Sequence, residues 1–307
     1  INLEDFVKFI SQRNKNKIKE AETVLKQVKN KADKDGFVSY EELEQAIKGC
    51  DNHQLVRLFY EYMPLTFSRR HGDPSRPWNR FNIKLRDDNG NPILNYEGNW
   101  RDIFQNWEAL AWSYPQYIKN MTAKFLNAMT IEGFNPYHIS REGINWEVPD
   151  PNTPWAQIGF WGDHQVIYLE KLLEFYSDSN RDELLSSLDA KIYASSNVPY
   201  RIKSYKDILE NPRSTILFDR ELDSKLQEKS KAYGSDAKLV CDKNENVALV
   251  TLTAKLLQIV IAKTANFIPG GGIWLNTQRP EWNDANNALA GYGLSMVTLC
   301  YLHRFIS

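Results

Sequence analysis

The sequence predicts a mainly helical protein, a partial two-layer (α/α) toroid carrying one small β-hairpin. Three observations carry this. Apolar residues recur at helical spacing along most of the chain, with no strand–helix alternation of the parallel-sheet type. Residues 246–264 and 286–305 are apolar on nearly every side, and helices without a polar face need other protein around them. The connections 135–154 and 269–280 are long, rich in Pro and Gly, and would form the rim of a pocket. A plain bundle satisfies the first two observations equally; the long connections favour the toroid.

Taken in order, Leu3, Phe6, Val7 and Ile10 form one helical stripe, and residues 15–30 read as a charged helix carrying Ile18, Ala21, Val24, Leu25 and Val28. Residues 41–50 and 54–62 are the third and fourth helices. Residues 81–85 and 92–96 flank an Asn89-Gly90 turn and read as a two-stranded hairpin. Beyond it, residues 102–127, 163–177, 181–195, 215–233, 246–264 and 286–305 have helical length and period. The division expected is an N-terminal helical segment over 1–65 and a catalytic-type toroid over 66–307.

Lys plus Arg number 38 against 39 Asp plus Glu, a formal charge of -1, which disfavours a non-specific nucleic-acid binder. The longest apolar stretches fall short of a membrane span. Cys50, Cys241 and Cys300 make neither a disulfide framework nor a metal spacing, and the scattered histidines argue against catalytic zinc. Gly270-Gly271-Gly272 lacks the following Lys-Ser or Lys-Thr of a phosphate-cradling loop. No targeting segment is visible after Ile1, which leaves the compartment open with the cytoplasm favoured. The final residues, 301–307, still read as helical, and the expectation is a piece of something longer.

Residues 31–42 lie between two helices with calcium-loop spacing. Asp33 and Asp35 stand at the third and fifth ligand positions, Gly36 at the sharp turn, Phe37 at the carbonyl position, Ser39 at the ninth and Glu42 at the twelfth. The segment resembles an EF-hand in all but its first position, where Lys31 replaces the carboxylate. Removing one anion and adding a cation weakens any calcium site, so a helical hairpin that keeps only the turn is the favoured reading.

Three polar, aromatic clusters precede helices. Glu281, Trp282, Asn283 and Asp284 pack ionisable groups around an indole, more than one N-cap requires. A carboxylic acid beside an indole suits a glycosidic bond, the acid protonating the leaving oxygen and the ring carrying a sugar face. Trp100, Arg101, Asp102, Gln105 and Asn106 suit a network of hydroxyl contacts, and Trp161 with Asp163 forms the third cluster. All three are expected to converge on one mouth, with the arginine-rich residues 69–80 adding positive charge there.

At Trp100-Arg101-Asp102 with Gln105, and at Trp282-Asn283-Asp284, the chain resembles the catalytic domain of the cellobiose and chitobiose phosphorylase family, within the six-hairpin, glucoamylase-like toroids. The resemblance extends from about Arg69 to Phe305. It implies Asp284 as general acid, Asp102 as a sugar-binding carboxylate and Trp282 lining the same ring; Arg101, Gln105, Glu281 and Asp163 are expected from their clusters to add substrate contacts. It further implies cleavage of β-linked di- or oligosaccharides with inversion, by phosphorolysis or hydrolysis, with no cofactor beyond inorganic phosphate as co-substrate. This sequence departs from the family in having Glu281 where Asp is common and Asn106 after Gln105. About six long helical stretches follow residue 100, half of a closed six-hairpin toroid, so further sequence or a second chain is expected to complete it. A non-catalytic carbohydrate-binding or regulatory domain is the competing expectation.

Overall fold

The fold is taken from a computed structural model that describes residues 1–68, 84–152, 160–161, 165–212, 214–275 and 293–307; for residues 67, 68, 101, 102, 105, 160 and 161 it describes the backbone. The mainly helical class holds. Helix α1 (Leu3–Arg13) starts where the Asn2 side chain accepts from the Asp5 amide at 3.0 Å, and it buries Phe6, Phe9 and Ile10. Helix α2 (Ile18–Leu25) is shorter than the expected 15–30, because 3-10 turns at Lys15–Lys17 and Lys29–Lys31 bracket it. Those flanks hold only Lys and Asn, so no apolar stripe extends the α-helix through them. Helices α3 (Tyr40–Gly49) and α4 (His53–Glu61) keep closely to their expected ranges.

An aromatic cluster joins these helices. The Phe6 and Tyr62 rings meet edge to face at 5.2 Å, as do Phe9 and Tyr62 at 5.3 Å, and the Tyr40 ring lies tilted against Phe59 at 5.1 Å. The core runs without a break from Phe6, Leu58 and Phe59 into Trp100, Phe104, Phe125, Leu169 and Ile259. Residues 1–64 therefore share one hydrophobic core with the helices C-terminal to them.

The stretch expected as one helix over 102–127 is two, α5 (Trp100–Ser113) and α6 (Ile118–Ala128). Pro115, which lacks an amide hydrogen, begins the 3-10 turn between them. Helix α7 (Gln165–Ser186) kinks at Asn180, whose side chain caps the restart by accepting from the Glu183 amide at 3.2 Å. The expected helix over 181–195 thus ends early, and Lys191–Tyr193 is a strand. It pairs antiparallel with Val250–Thr251, which in turn trims the expected 246–264 to α10 (Leu252–Thr264). Likewise Ile216–Phe218 pairs with Tyr200–Ile202 ahead of α9 (Arg220–Tyr233), with the short α8 (Tyr205–Glu210) between the two strands. In each case a β-branched or aromatic run satisfies the helical period only by accident.

Of the predicted hairpin, the described residues show the turn and the first pairings beside it. Residues 81–83 lie outside the described residues; Arg86 bridges Pro92, and the Ile93 amide donates to the Leu85 carbonyl at 3.0 Å. Tyr96 instead opens a strand, Tyr96–Asn99, between Phe67–Ser68 and His138–Ser140, and the latter continues to Gly143–Asn145.

The two most apolar helices are only partly covered within the described residues. Leu257 and Ile261 on α10 are 53 % and 64 % exposed, and Met296, Val297 and Ile306 on α11 (Met296–Ile306) are also open to solvent. Among the described residues, no helix is long and apolar enough to cross a membrane.

Candidate functional site

The start of α5 is fixed by its neighbours. Strand Tyr96–Asn99 delivers the chain to Trp100, whose amide donates to the Tyr137 carbonyl at 3.0 Å. The Trp100 indole is fully buried, 5.0 Å from the Phe125 ring and 6.0 Å from Tyr168 of α7. Arg101, Asp102 and Gln105 therefore sit on the first two turns of a helix anchored by Trp100, Ile103, Phe104 and Trp107.

The start of α7 meets the same scaffold. Phe160–Trp161 pairs with Asn135–Pro136, and the side-chain amide of Gln165 donates to Asn135 Oδ1. The segment 135–140 thus holds the beginnings of both α5 and α7, two of the three cluster-bearing helix starts. Asp163 lies outside the described residues. So do Glu281, Trp282 and Asp284, within residues 276–292. The ends flanking that segment are described: Gly272–Trp274 pairs antiparallel with Leu294–Ser295, Ile273 opposite Ser295 and Trp274 opposite Leu294. From there α11 packs on α7, where the Arg304 guanidinium meets Glu174 through two bonds of 2.8 Å and Glu170 at 3.2 Å.

Two carboxylates near this scaffold differ in their surroundings. Glu108 of α5 is held by Lys171 of α7 at 2.9 Å, an ion pair across the two helices. Glu170 is buried with its oxygens otherwise unbonded, and desolvation, then Glu174, raises its carboxyl against the pull of Arg304. Nothing in the sequence singles out Glu170, because it stands inside a regular helical period, where glutamate is the ordinary solvent-facing choice.

The calcium-like loop is built from hydrogen bonds of its own. Asp33 Oδ1 accepts from the amides of Asp35 and Phe37, both at 2.9 Å, and the Gly36 amide donates to the Asp33 carbonyl at 3.0 Å. Gly36 has φ +79°, which Gly adopts without strain. Ser39 and Glu42 form a capping box on α3, with the Glu42 amide donating to Ser39 Oγ at 3.1 Å. Lys31 Nζ lies 3.9 Å from the Glu42 carboxylate. Among the described residues, no group of three or more His, Cys, Asp or Glu is placed to hold a metal ion. The same turn recurs twice: Asp87 accepts from the amides of Asn89 and Asn91, and Asp242 from those of Asn244 and Asn246. An aspartate that heads a five-residue turn is thus a recurring local motif of this chain.

Residues 1–64 are joined to the rest by buried charge. Arg13 contacts Glu61 at 2.6 Å and Asp236 at 3.0 Å; Arg57 contacts Glu61 at 2.8 Å and also Asp236, with side-chain exposure of at most 4 % throughout. Asn127 Nδ2 donates to Glu61 at 2.9 Å. Burial pushes the Glu61 carboxyl up, but Arg13 and Arg57 outweigh it and hold it down at about 2. Nearby, burial and then Arg13 lower the Lys124 ammonium well below its ordinary value. Around this centre Arg141 reaches Asp5 at 2.7 Å, the Tyr40 hydroxyl donates to Asn120 Oδ1 at 2.8 Å, and Asn120 donates to the carbonyls of Phe59 and Tyr62. No motif announces this network; its members are far apart in sequence.

Residues 1–64 match the family model of glycoside hydrolase family 149 insertion domain 1. The match supports a glycoside hydrolase-related family for the chain and a link to carbohydrate metabolism. No curated protein matches the chain.

Proposed function

We propose that the chain is part of an inverting carbohydrate-active enzyme that cleaves β-linked di- or oligosaccharides. The observation that carries this reading is the match of residues 1–64 to an insertion domain of a glycoside hydrolase family, on a chain that also bears Trp100-Arg101-Asp102 and Trp282-Asn283-Asp284. In this reading Asp284 protonates the glycosidic oxygen, Trp282 offers a ring face to the sugar, and Arg101, Asp102, Gln105, Asp163 and Glu281 bind its hydroxyls. The attacking oxygen comes from the opposite face. If it belongs to inorganic phosphate, no protein base is required; if it belongs to water, a second carboxylate about 6.5–9.5 Å from the acid must hold it.

The exposed apolar faces of α10 and α11 support the further view that these helices are inner or flanking members of an (α/α) toroid. Further sequence of the same protein, or a second chain, would then cover them. Calcium at Asp33, Asp35, Phe37, Ser39 and Glu42 would be structural in this scheme.

The deciding experiment measures release of reducing sugar and of sugar 1-phosphate from β-linked disaccharides, with and without phosphate. Asp284→Asn should lower turnover by about 10²–10⁴-fold while the thermal midpoint stays put. Unchanged turnover in that variant on a substrate the parent cleaves would overturn the assignment.

A further inference from the structure

A groove of about 570 Å³ runs along α10, walled by Ile131, Val240, Val250, Leu257 and Ile261, and Ser195 lies on its lining. Beneath it Lys255 is 1 % exposed, with Nζ 2.8 Å from Ser195 Oγ and 3.4 Å from the Met129 carbonyl. We propose that Ser195 is an acylatable nucleophile with Lys255 as its base, and that the groove takes the apolar acyl group of an ester.

Three features disfavour an ammonium at Lys255. The side chain is buried; it stands in the first turn of α10, beside the positive end of the helix dipole; and no carboxylate among the described residues pairs with it. Of the elements packed against α10, the strand Lys191–Tyr193 carries Lys191 and Tyr193, and α11 carries Cys300, Tyr301, His303 and Arg304; Lys263 stands on α10 itself and Glu132 on the lining of the groove. Lys238 bonds Asn145 at 3.3 Å, and Lys263 stacks over the Phe134 ring at 4.9 Å. Burial brings the Lys255 ammonium down to about 7, so a large share of molecules carries the free amine at neutral pH.

The serine is also held in place. The Val240 amide donates to the Ser195 carbonyl at 2.8 Å, the Ala194 amide to Asn127 Oδ1 at 2.8 Å, and the Ser196 amide to the Met129 carbonyl at 3.0 Å. A nucleophile within hydrogen-bond reach of a neutral amine, on a fixed backbone and facing a groove, meets the geometric requirement for activation. In the reaction Lys255 accepts the Ser195 hydroxyl proton as Oγ adds to the ester carbonyl. The bond to the alcohol oxygen then breaks, and Lys255 returns the proton to the departing alkoxide. Ser195 is left as an acyl ester and the alcohol is free; a water molecule, deprotonated in the same way, later releases the acid.

The test treats the full chain with p-nitrophenyl butyrate and follows the butyryl mass adduct, located by peptide mapping, so that the ionisation of nitrophenol does not enter. One butyryl group on Ser195 is expected. Its rate should rise about tenfold per pH unit below pH ~7 and level off above it. Ser195→Ala should abolish this adduct. Lys255→Met should slow it by about 10²-fold or more, and Lys255→Arg, which restores a cation but not a base, should fail to rescue it. If the lysine variants unfold, Ser195→Ala and the pH profile of the unaltered protein still decide. An adduct confined to other residues, a rate without the plateau, or full rescue by arginine would overturn the proposal.

Discussion

Replacing Asp236 by Ala strikes the point where residues 1–64 are held to the rest of the chain. In the intact quartet Arg13 faces Glu61 at 2.6 Å and Asp236 at 3.0 Å, and Arg57 faces the same two carboxylates, all essentially without water. Without Asp236, Arg13 and Arg57 share Glu61 alone, and the excess positive charge also bears on the buried Lys124. Removing one partner of a buried ionic pair costs about 3–5 kcal/mol, because the charge left behind is neither solvated nor compensated. A domain's whole stability is about 5–15 kcal/mol, so the fraction lost is large. The thermal midpoint at neutral pH should fall by on the order of 10 °C, as followed by far-ultraviolet circular dichroism. Arg13→Met in the same background should recover part of the loss, since it removes the charge that Asp236 had answered. A loss below about 1 kcal/mol for Asp236→Ala, or further loss in the double variant, would refute the view that these four charges act as one unit.

Glu61 gives the same centre an acid dependence. Its carboxyl is held at about 2 in the folded protein against an ordinary 4.5, so its contribution is full above pH 4.5 and disappears as pH falls toward 2. The acid limb of a urea-midpoint titration should therefore show a loss of about 3 kcal/mol that Glu61→Gln lacks. Gly234→Ala should destabilise strongly, because Gly234 has φ +102° and an added Cβ would lie 2.6 Å from the Arg13 carbonyl oxygen; an unchanged thermal midpoint would refute this. Ser39→Ala should cost about 1 kcal/mol through loss of the α3 capping box, measured by denaturant unfolding. Millimolar calcium should move the thermal midpoint of the parent by less than about 1 °C, and a larger saturable rise would establish ion binding at residues 31–42.

The helices legible in the sequence are those with a local cause. Leu3, Phe6 and Ile10 mark α1 by spacing, whereas Ser39 and Glu42, read in the sequence as loop positions for a cation, turn out to form the capping box of α3. The features that are not legible depend on partners distant in the chain. Lys191–Tyr193 is a strand because Val250–Thr251 lies beside it, and α10 reads as enclosed because composition says which faces are apolar, not which are covered. Of the candidate site, the structure brings the backbone starts of α5 and α7 onto the segment 135–140. Asp163, Glu281, Trp282 and Asp284 lie outside the described residues. The Ser195–Lys255 contact is invisible in the sequence because a lone lysine in a helical period reads as a surface residue until burial is known.

The buried quartet also governs how this protein can be recombined. A segment matched by its own family model invites excision or transplantation at residue 64. Cutting there would leave Asp236 in an apolar setting with neither arginine, and Asn120 and Arg141 without Tyr40 and Asp5. A graft that moves residues 1–64 to another host must carry an aspartate to meet Arg13 and Arg57, or replace both arginines with apolar side chains of similar volume. The natural unit of exchange is thus residues 1–64 together with position 236, a boundary drawn by charge and not by chain order.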